Sequence, residues 1–278
     1  MLKYLRMTSV ENLLYAPQVN TTSMSVKKGA FLQGINVVAF IVTVAVNILA
    51  GSTTFLGGKM SGDISDLYPT LITPAGYTFS IWGLIYTLLL IFSVYQALSR
   101  NRERPFLREI SFLFALSGAL NIVWLFLWHY EMISVSVLPM FALLATLIAI
   151  YQRLDIGRAH LALREKVLVH LPFSIYLGWI TVASITNVAV ALTAAGWDGA
   201  GIDPMTWAIL VIVVALIVTL AVIATRKDAA YSLVLVWALV GIMSKQSEHP
   251  TIVLTTEVSI AIILIAIATT AIVARLRR

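Results

Sequence analysis

Beyond residue 30 the chain is a succession of apolar runs, most about twenty residues long, separated by short polar breaks. That length matches an α-helix crossing a hydrocarbon layer about 30 Å thick. The runs predict helices over about 31–50, 77–98, 109–129, 133–151, 167–192, 205–224, 229–244 and 251–274, the seventh being short. The expected fold class is an all-α integral membrane protein with eight transmembrane helices.

Polar positions inside these runs are not scattered. In the fifth run, Pro172, Tyr176, Trp179, Ala183 and Asn187 fall within roughly an 80° arc at about 100° per residue. In the first run Asn36 and Asn47 lie roughly 20° apart, with Phe40 and Thr43 between them. In the second, Phe79, Trp82 and Tyr86 share a narrow arc. In the third, Phe114, Ser117, Asn121, Trp124 and Trp128 do the same. A helix facing only lipid has no use for such stripes, so they predict a protein interior or a pocket. Pro139 should kink the fourth helix. The last three runs are dominated by Ile, Val, Leu, Ala and Thr and read as peripheral packing.

The breaks differ in kind. Residues 51–76 are rich in glycine, with Pro69 and Pro74, yet carry Leu67, Tyr68, Leu71 and Ile72. A turn-rich but sticky loop suits a lid over the bundle. Residues 1–30 are polar and unpatterned and read as a flexible cytoplasmic tail, with a short interfacial helix among Leu2–Tyr15 as an alternative. The expected organisation is thus a tail (1–30), a five-helix bundle with its lid (31–195) and three additional helices (196–278).

Composition agrees: 60% of residues are hydrophobic and only 12% charged, with a mean hydropathy of +0.93. The net charge of +6 would suggest nucleic acid, but its distribution argues otherwise. All nineteen Lys and Arg except Lys59 and Lys245 fall in the tail, the second–third, fourth–fifth and sixth–seventh connections, or the C-terminus. An eight-helix count puts these on one side of the membrane, which predicts cytoplasmic N- and C-termini and an outer lid. Basic residues placed this way set topology and touch lipid headgroups; no nucleic-acid partner is expected. In a bacterium the site would be the inner membrane.

Candidate chemistry is sparse. There is no cysteine, hence no disulfide or thiolate site. The helix interiors lack Asp, Glu, Lys and Arg except for Glu257, which counts against ion-coupled transport. Glu257 is expected to snorkel outward or pair with Lys245. His129, His160, His170 and His249 show no metal-ligand spacing, and no hydrolase or phosphate-loop motif is present. Trp128, Tyr130, Trp197 and Trp207 fit an interfacial belt. Trp82, Trp124 and Trp179 lie inside their helices, where an indole N–H needs an acceptor such as Asn36, Asn47, Asn121 or Asn187. Those residues make either a hydrogen-bonded bundle core or the wall of a pocket for a flat apolar ligand.

Four segments resemble the tryptophan-rich sensory protein family, also called the TspO/MBR or translocator protein family. They are Pro69 and Pro74 leading to Phe79 and Trp82-Gly-Leu-Ile-Tyr86; Leu120-Asn121-Ile-Val-Trp124; the apolar fourth helix; and Pro172 with Trp179 and Asn187. The resemblance covers about 31–195. It implies a five-helix bundle whose outer loop closes over a pocket for porphyrins, sterols or synthetic aromatic ligands. Candidate ligand-binding residues are then Trp82, Tyr86, Asn121, Trp124, Trp179 and Asn187, joined by Tyr176, Asn36 and Asn47 from their positions on the same faces. The family's Trp and Lys-Pro pattern ahead of a double proline is replaced here by spaced Pro69 and Pro74. No cofactor is obligatory on this reading; a tetrapyrrole would be a ligand. The expected partners are the lipid bilayer and a hydrophobic small molecule, with the chain a monomer or homodimer. Helices six to eight would cover the surface used for pairing and leave a monomer. An uncoupled permease and a structural membrane subunit are the other readings, and chemistry at Trp82 or Trp124 stays open.

Overall fold

The computed structural model describes residues 21–52, 56 and 58–276, with side chains from residue 28 onward except at 51 and 52. The interfacial helix considered within Leu2–Tyr15 lies outside them. Eight long helices are present among the described residues: α1 Thr21–Ser52, α2 Ile81–Ala97, α3 Leu113–His129, α4 Ile133–Arg153, α5 Leu171–Ala194, α6 Pro204–Arg226, α7 Ala229–Lys245 and α8 Pro250–Leu276. No strand occurs among the described residues. α1 starts ahead of the position expected, so the tail is already helical from Thr21. Among the described residues six helical stretches are long and apolar enough to cross a membrane; α3 and α7 are apolar but shorter. The protein is an integral membrane protein in contact with lipid.

Local chemistry explains the helix ends. Asp203 caps α6 by accepting from the Thr206 N–H at 3.1 Å, with Pro204 in the first turn, where its missing donor costs nothing. Lys227 adopts a left-handed conformation (φ 56°) that stops α6. Asp228 then caps α7. α3 starts later than the pattern suggested, because Ser111 takes a positive φ of 49° and cuts off a separate short helix, Pro105–Ile110. α4 runs unbroken through the buried Pro139. Ahead of Pro172, a π-helical turn over Lys166–His170 feeds α5. Such a widened turn makes room where a proline removes one ladder bond.

α1 packs on α2 and α3, α3 on α4, α4 on α5, and α5 back on α2, which closes a ring of five helices. α5 is the most buried of the six membrane-length stretches. Residues 172–180 are buried on every side, not only along the stripe, because α7 covers the face of α5 that looks away from the ring. Gly178 allows this approach: a Cβ there would meet the Tyr231 carbonyl and Val234 Cβ at 3.0 Å each. The expectation that the last three helices are all peripheral therefore fails for α7. α6 and α8 pack on α7 and on each other.

Loop contacts fix the helix directions. At one end Lys59 pairs with Glu131 at 2.6 Å, and Lys245 pairs with Asp66. At the other end Arg104 pairs with Glu165 at 2.5 Å and Arg226 with Asp155 at 2.7 Å, while Arg158 donates to the Thr225 carbonyl at 2.9 Å. Consecutive helices thus alternate in direction. Lys245 does not pair with Glu257, which stays exposed two turns into α8.

The second of these ends carries a buried carboxylate that its loop position hides in the sequence. Asp228 Oδ1 accepts from the Ala230 and Tyr231 N–H groups at 3.0 and 3.1 Å. Its Oδ2 accepts from the Tyr151 hydroxyl at 2.9 Å and the Ser174 hydroxyl at 2.7 Å. One side chain therefore joins α4, α5 and α7. Four donors satisfy the charge, which is the condition for burying it at all.

Candidate functional site

The proposed lid is built from a short helix, Ser61–Leu67, and the strap that follows it. Its own Ile64 and Ser65 are buried, and Trp128 donates its indole N–H to the Ser61 carbonyl at 3.1 Å. Trp128 is only 4% exposed and stacks on Trp124 with centroids 5.7 Å apart. It is an inward-facing residue, not part of an interfacial belt. Past Pro74 the strap is held by α7. The Ala75 N–H donates to the Gly241 carbonyl at 3.0 Å, and the Trp237 indole donates to the Thr78 carbonyl at 3.0 Å. A Cβ at Gly241 would lie 2.2 Å from Thr78 Oγ1, so only glycine permits this seat. Gln246 adds a bond to the Thr70 carbonyl at 3.3 Å.

Beneath the lid the polar stripes meet. Trp124 Nε1 donates to Asn187 Oδ1 at 3.0 Å, and Asn187 Nδ2 donates to Ser136 Oγ at 3.0 Å. The buried indole therefore has its acceptor. Ser136 was not singled out from the sequence; it lies in an apolar helix, three residues before Pro139. Around this group, Ser65, Pro74, Phe79, Trp128, Trp179 and Val182 help enclose a void of about 30 Å³.

Trp82 and Tyr86 stack at 5.3 Å, and Trp82 meets Tyr176 and Trp179 edge-on at 6.0 and 6.3 Å. Tyr86 and Tyr176 border a second void of about 10 Å³, together with Phe40, Thr43, Ser117 and Gly118. Asn47 Nδ2 donates to Asn121 Oδ1 at 2.8 Å, joining α1 to α3. The structure thus gathers Trp124, Asn187 and Trp179 in one layer under the lid, and Tyr86 and Tyr176 in another. Trp82 touches both layers. Asn36 makes no hydrogen bond to either.

Three of these side chains carry unanswered polar atoms in the interior. Both amide atoms of Asn36 and the Tyr86 hydroxyl are buried without a hydrogen-bond partner. Asn121 Nδ2 has no bond of good geometry, although the Tyr176 hydroxyl lies beside it. Each such group costs about 1–3 kcal/mol relative to a satisfied one. Elsewhere, His129 Nδ1 lies 2.8 Å from the Leu125 carbonyl. No cluster of three His, Cys, Asp or Glu occurs among the described residues.

A family model described as TSPO-like protein matches residues 33–270. The chain belongs to the TSPO-like family. The match runs past residue 195 and takes in α6, α7 and most of α8, so the family likeness extends beyond the five-helix ring. The family is one of membrane sensory and ligand-binding proteins. No curated protein and no solved structure matches the chain.

Proposed function

We propose that this TSPO-like protein is a membrane-embedded sensory or sequestering protein for a hydrophobic planar ligand, porphyrin- or sterol-like, taken up among α1, α2, α3 and α5 beneath the lid. The observation that carries the reading is the convergence of Trp82, Tyr86, Tyr176 and Trp179 beside unanswered polar atoms of Asn36, Tyr86 and Asn121. Aromatic walls with a few unpaired polar groups suit a flat apolar molecule with sparse heteroatoms. The voids of about 30 and 10 Å³ are far below the ~300–1,000 Å³ of a ligand pocket. Binding therefore requires the lid to lift and the Trp82–Tyr86 stack to part. All eight helices span the membrane on this reading, with both termini cytoplasmic and the chain a monomer. A detergent-corrected mass of two chains would overturn the monomer.

The test is a porphyrin titration of the purified protein, followed by tryptophan fluorescence, with Trp124→Phe and Trp179→Phe alongside. Saturable quenching that weakens in either variant is expected. Quenching unchanged in both would remove the pocket. The small size of the voids favours a second reading, a structural membrane subunit with a filled core, which predicts no saturable binding at all.

A further inference from the structure

A cavity of about 600 Å³ lies outside the five-helix ring. It sits between the lid strap, the outer end of α5 and the start of α6, and it has the volume of a ligand pocket. Its walls are mainly apolar: Leu71 and Ile72 of the strap, Val188 and Leu192 of α5, and Trp197 and Trp207 around the α5–α6 turn. The two indoles pack at 5.2 Å, and Trp207 is fixed by donating to the Gly199 carbonyl at 2.8 Å.

Charge narrows the occupant. Among the described residues no Lys, Arg or His lines the cavity, whereas Asp198 does. Asp198 Oδ1 accepts from the Ala200 N–H at 2.9 Å, which leaves its other oxygen free of any ion pair among the described residues. The surrounding loop set is acidic. Lys59 and Lys245 are taken up by Glu131 and Asp66, which leaves Asp63, Asp198, Asp203 and Glu248 without a lysine or arginine partner, with His249 the remaining basic side chain among the described residues of these loops. That field repels anions and concentrates cations at the mouth. Indole faces beside a carboxylate favour a cation with an apolar body.

We propose that this cavity is a second binding site, for a lipophilic organic cation, distinct from the site inside the ring. A carboxylated tetrapyrrole, a fatty acid or a phosphate headgroup would bring negative charge to a wall with no counter-ion. This site does not depend on the planar-ligand reading, since none of its lining residues belongs to the ring-interior site.

The experiment uses two probes of the same shape and opposite charge, tetraphenylphosphonium and tetraphenylborate, on the full-length protein in micelles and in neutral-lipid nanodiscs. Binding is read from tryptophan fluorescence and calorimetry. Saturable binding of the cation at least about tenfold tighter than of the anion is expected in both media. Asp198→Asn retains an acceptor for the Ala200 N–H and should bring the two probes within about twofold. Thr193→Trp, at the exposed rim, should block the cation while leaving any porphyrin response intact. Equal or reversed affinities would overturn the proposal. So would an unchanged preference in Asp198→Asn, loss of cation binding on moving from micelles to lipid, or loss of cation binding in Trp179→Phe.

Discussion

Replacing Asp228 by alanine should loosen α7 from the five-helix ring. The carboxylate is 7% exposed and accepts four hydrogen bonds, two from the first turn of α7 and two from hydroxyls on α4 and α5. Losing the helix cap costs about 1 kcal/mol. The Tyr151 and Ser174 hydroxyls are then left as buried donors, at about 1–3 kcal/mol each. Interhelical polar bonds inside membranes fall at the low end of such ranges, because the unfolded chain in the bilayer finds other partners. The expected total is therefore about 3 kcal/mol. Asp228→Asn keeps the cap acceptor and one hydroxyl partner, and should cost roughly 1 kcal/mol. The assay is reversible unfolding in mixed micelles with increasing dodecyl sulfate, followed by circular dichroism. A double-mutant cycle with Tyr151→Phe should return a coupling of about 1 kcal/mol. If Asp228→Ala unfolds within about 0.5 kcal/mol of the parent, or behaves like Asp228→Asn, the carboxylate is not what joins the three helices.

Three further outcomes are expected. Gly241→Ala drives a methyl to within 2.2 Å of Thr78 Oγ1, so the strap should be displaced. Limited proteolysis within residues 59–75 should then accelerate severalfold, and an unchanged cleavage rate would refute the clamp. Asn187→Leu removes the acceptor of the Trp124 indole and the donor to Ser136; it should cost about 1–2 kcal/mol in the same unfolding assay and shift the Trp124 emission. Partial desolvation and the nearby Glu165 hold the Glu109 carboxyl above its ordinary pKa. The charged form is therefore the disfavoured one in the folded protein, so stability is fullest below the unfolded pKa and falls as pH rises through the folded one. Glu109→Gln should stabilise modestly at pH 7 and not at pH 4, and equal effects at both pH values would count against the assignment.

The eight long helices among the described residues were legible as apolar runs, six of them long and apolar enough to cross a membrane. The direction of the polar stripes was legible in part, since an interior indole or amide gains by facing another polar group, although the buried Asn36 amide meets none. Trp124 and Asn187 meet as that logic requires. The role of α7 was not legible. Hydropathy does not distinguish a lipid-facing leucine from one packed on a helix, and docking in membranes turns on close approach at small residues. Gly178 and Gly241 supply that approach, and neither stands out in a run of apolar letters. Trp128 was misplaced because a tryptophan near a helix end looks the same whether it meets headgroups or a lid. Asp228 lies beside Arg226 and Lys227, where a charge looks solvated until α4 and α5 are brought against it.

The placement of α7 bears directly on how the lid would move. The strap is bonded to α7 through Ala75–Gly241, Trp237–Thr78 and Gln246–Thr70, with Lys245–Asp66 beyond. α7 in turn sits on α5, the helix that carries Tyr176, Trp179 and Asn187. Lifting the strap therefore means breaking contacts with α7, or moving α7 and disturbing its seat on α5 at Gly178. Either route couples lid opening to the helix that lines the interior. The outer cavity shares the strap residues Leu71 and Ile72. An occupant there would hold the strap against α5 and α6 and oppose its lifting. The two sites, if both are filled as proposed, should be negatively coupled, each weakening the other by the same factor. A porphyrin affinity unaffected by saturating tetraphenylphosphonium would show that the strap opens without leaving the outer cavity.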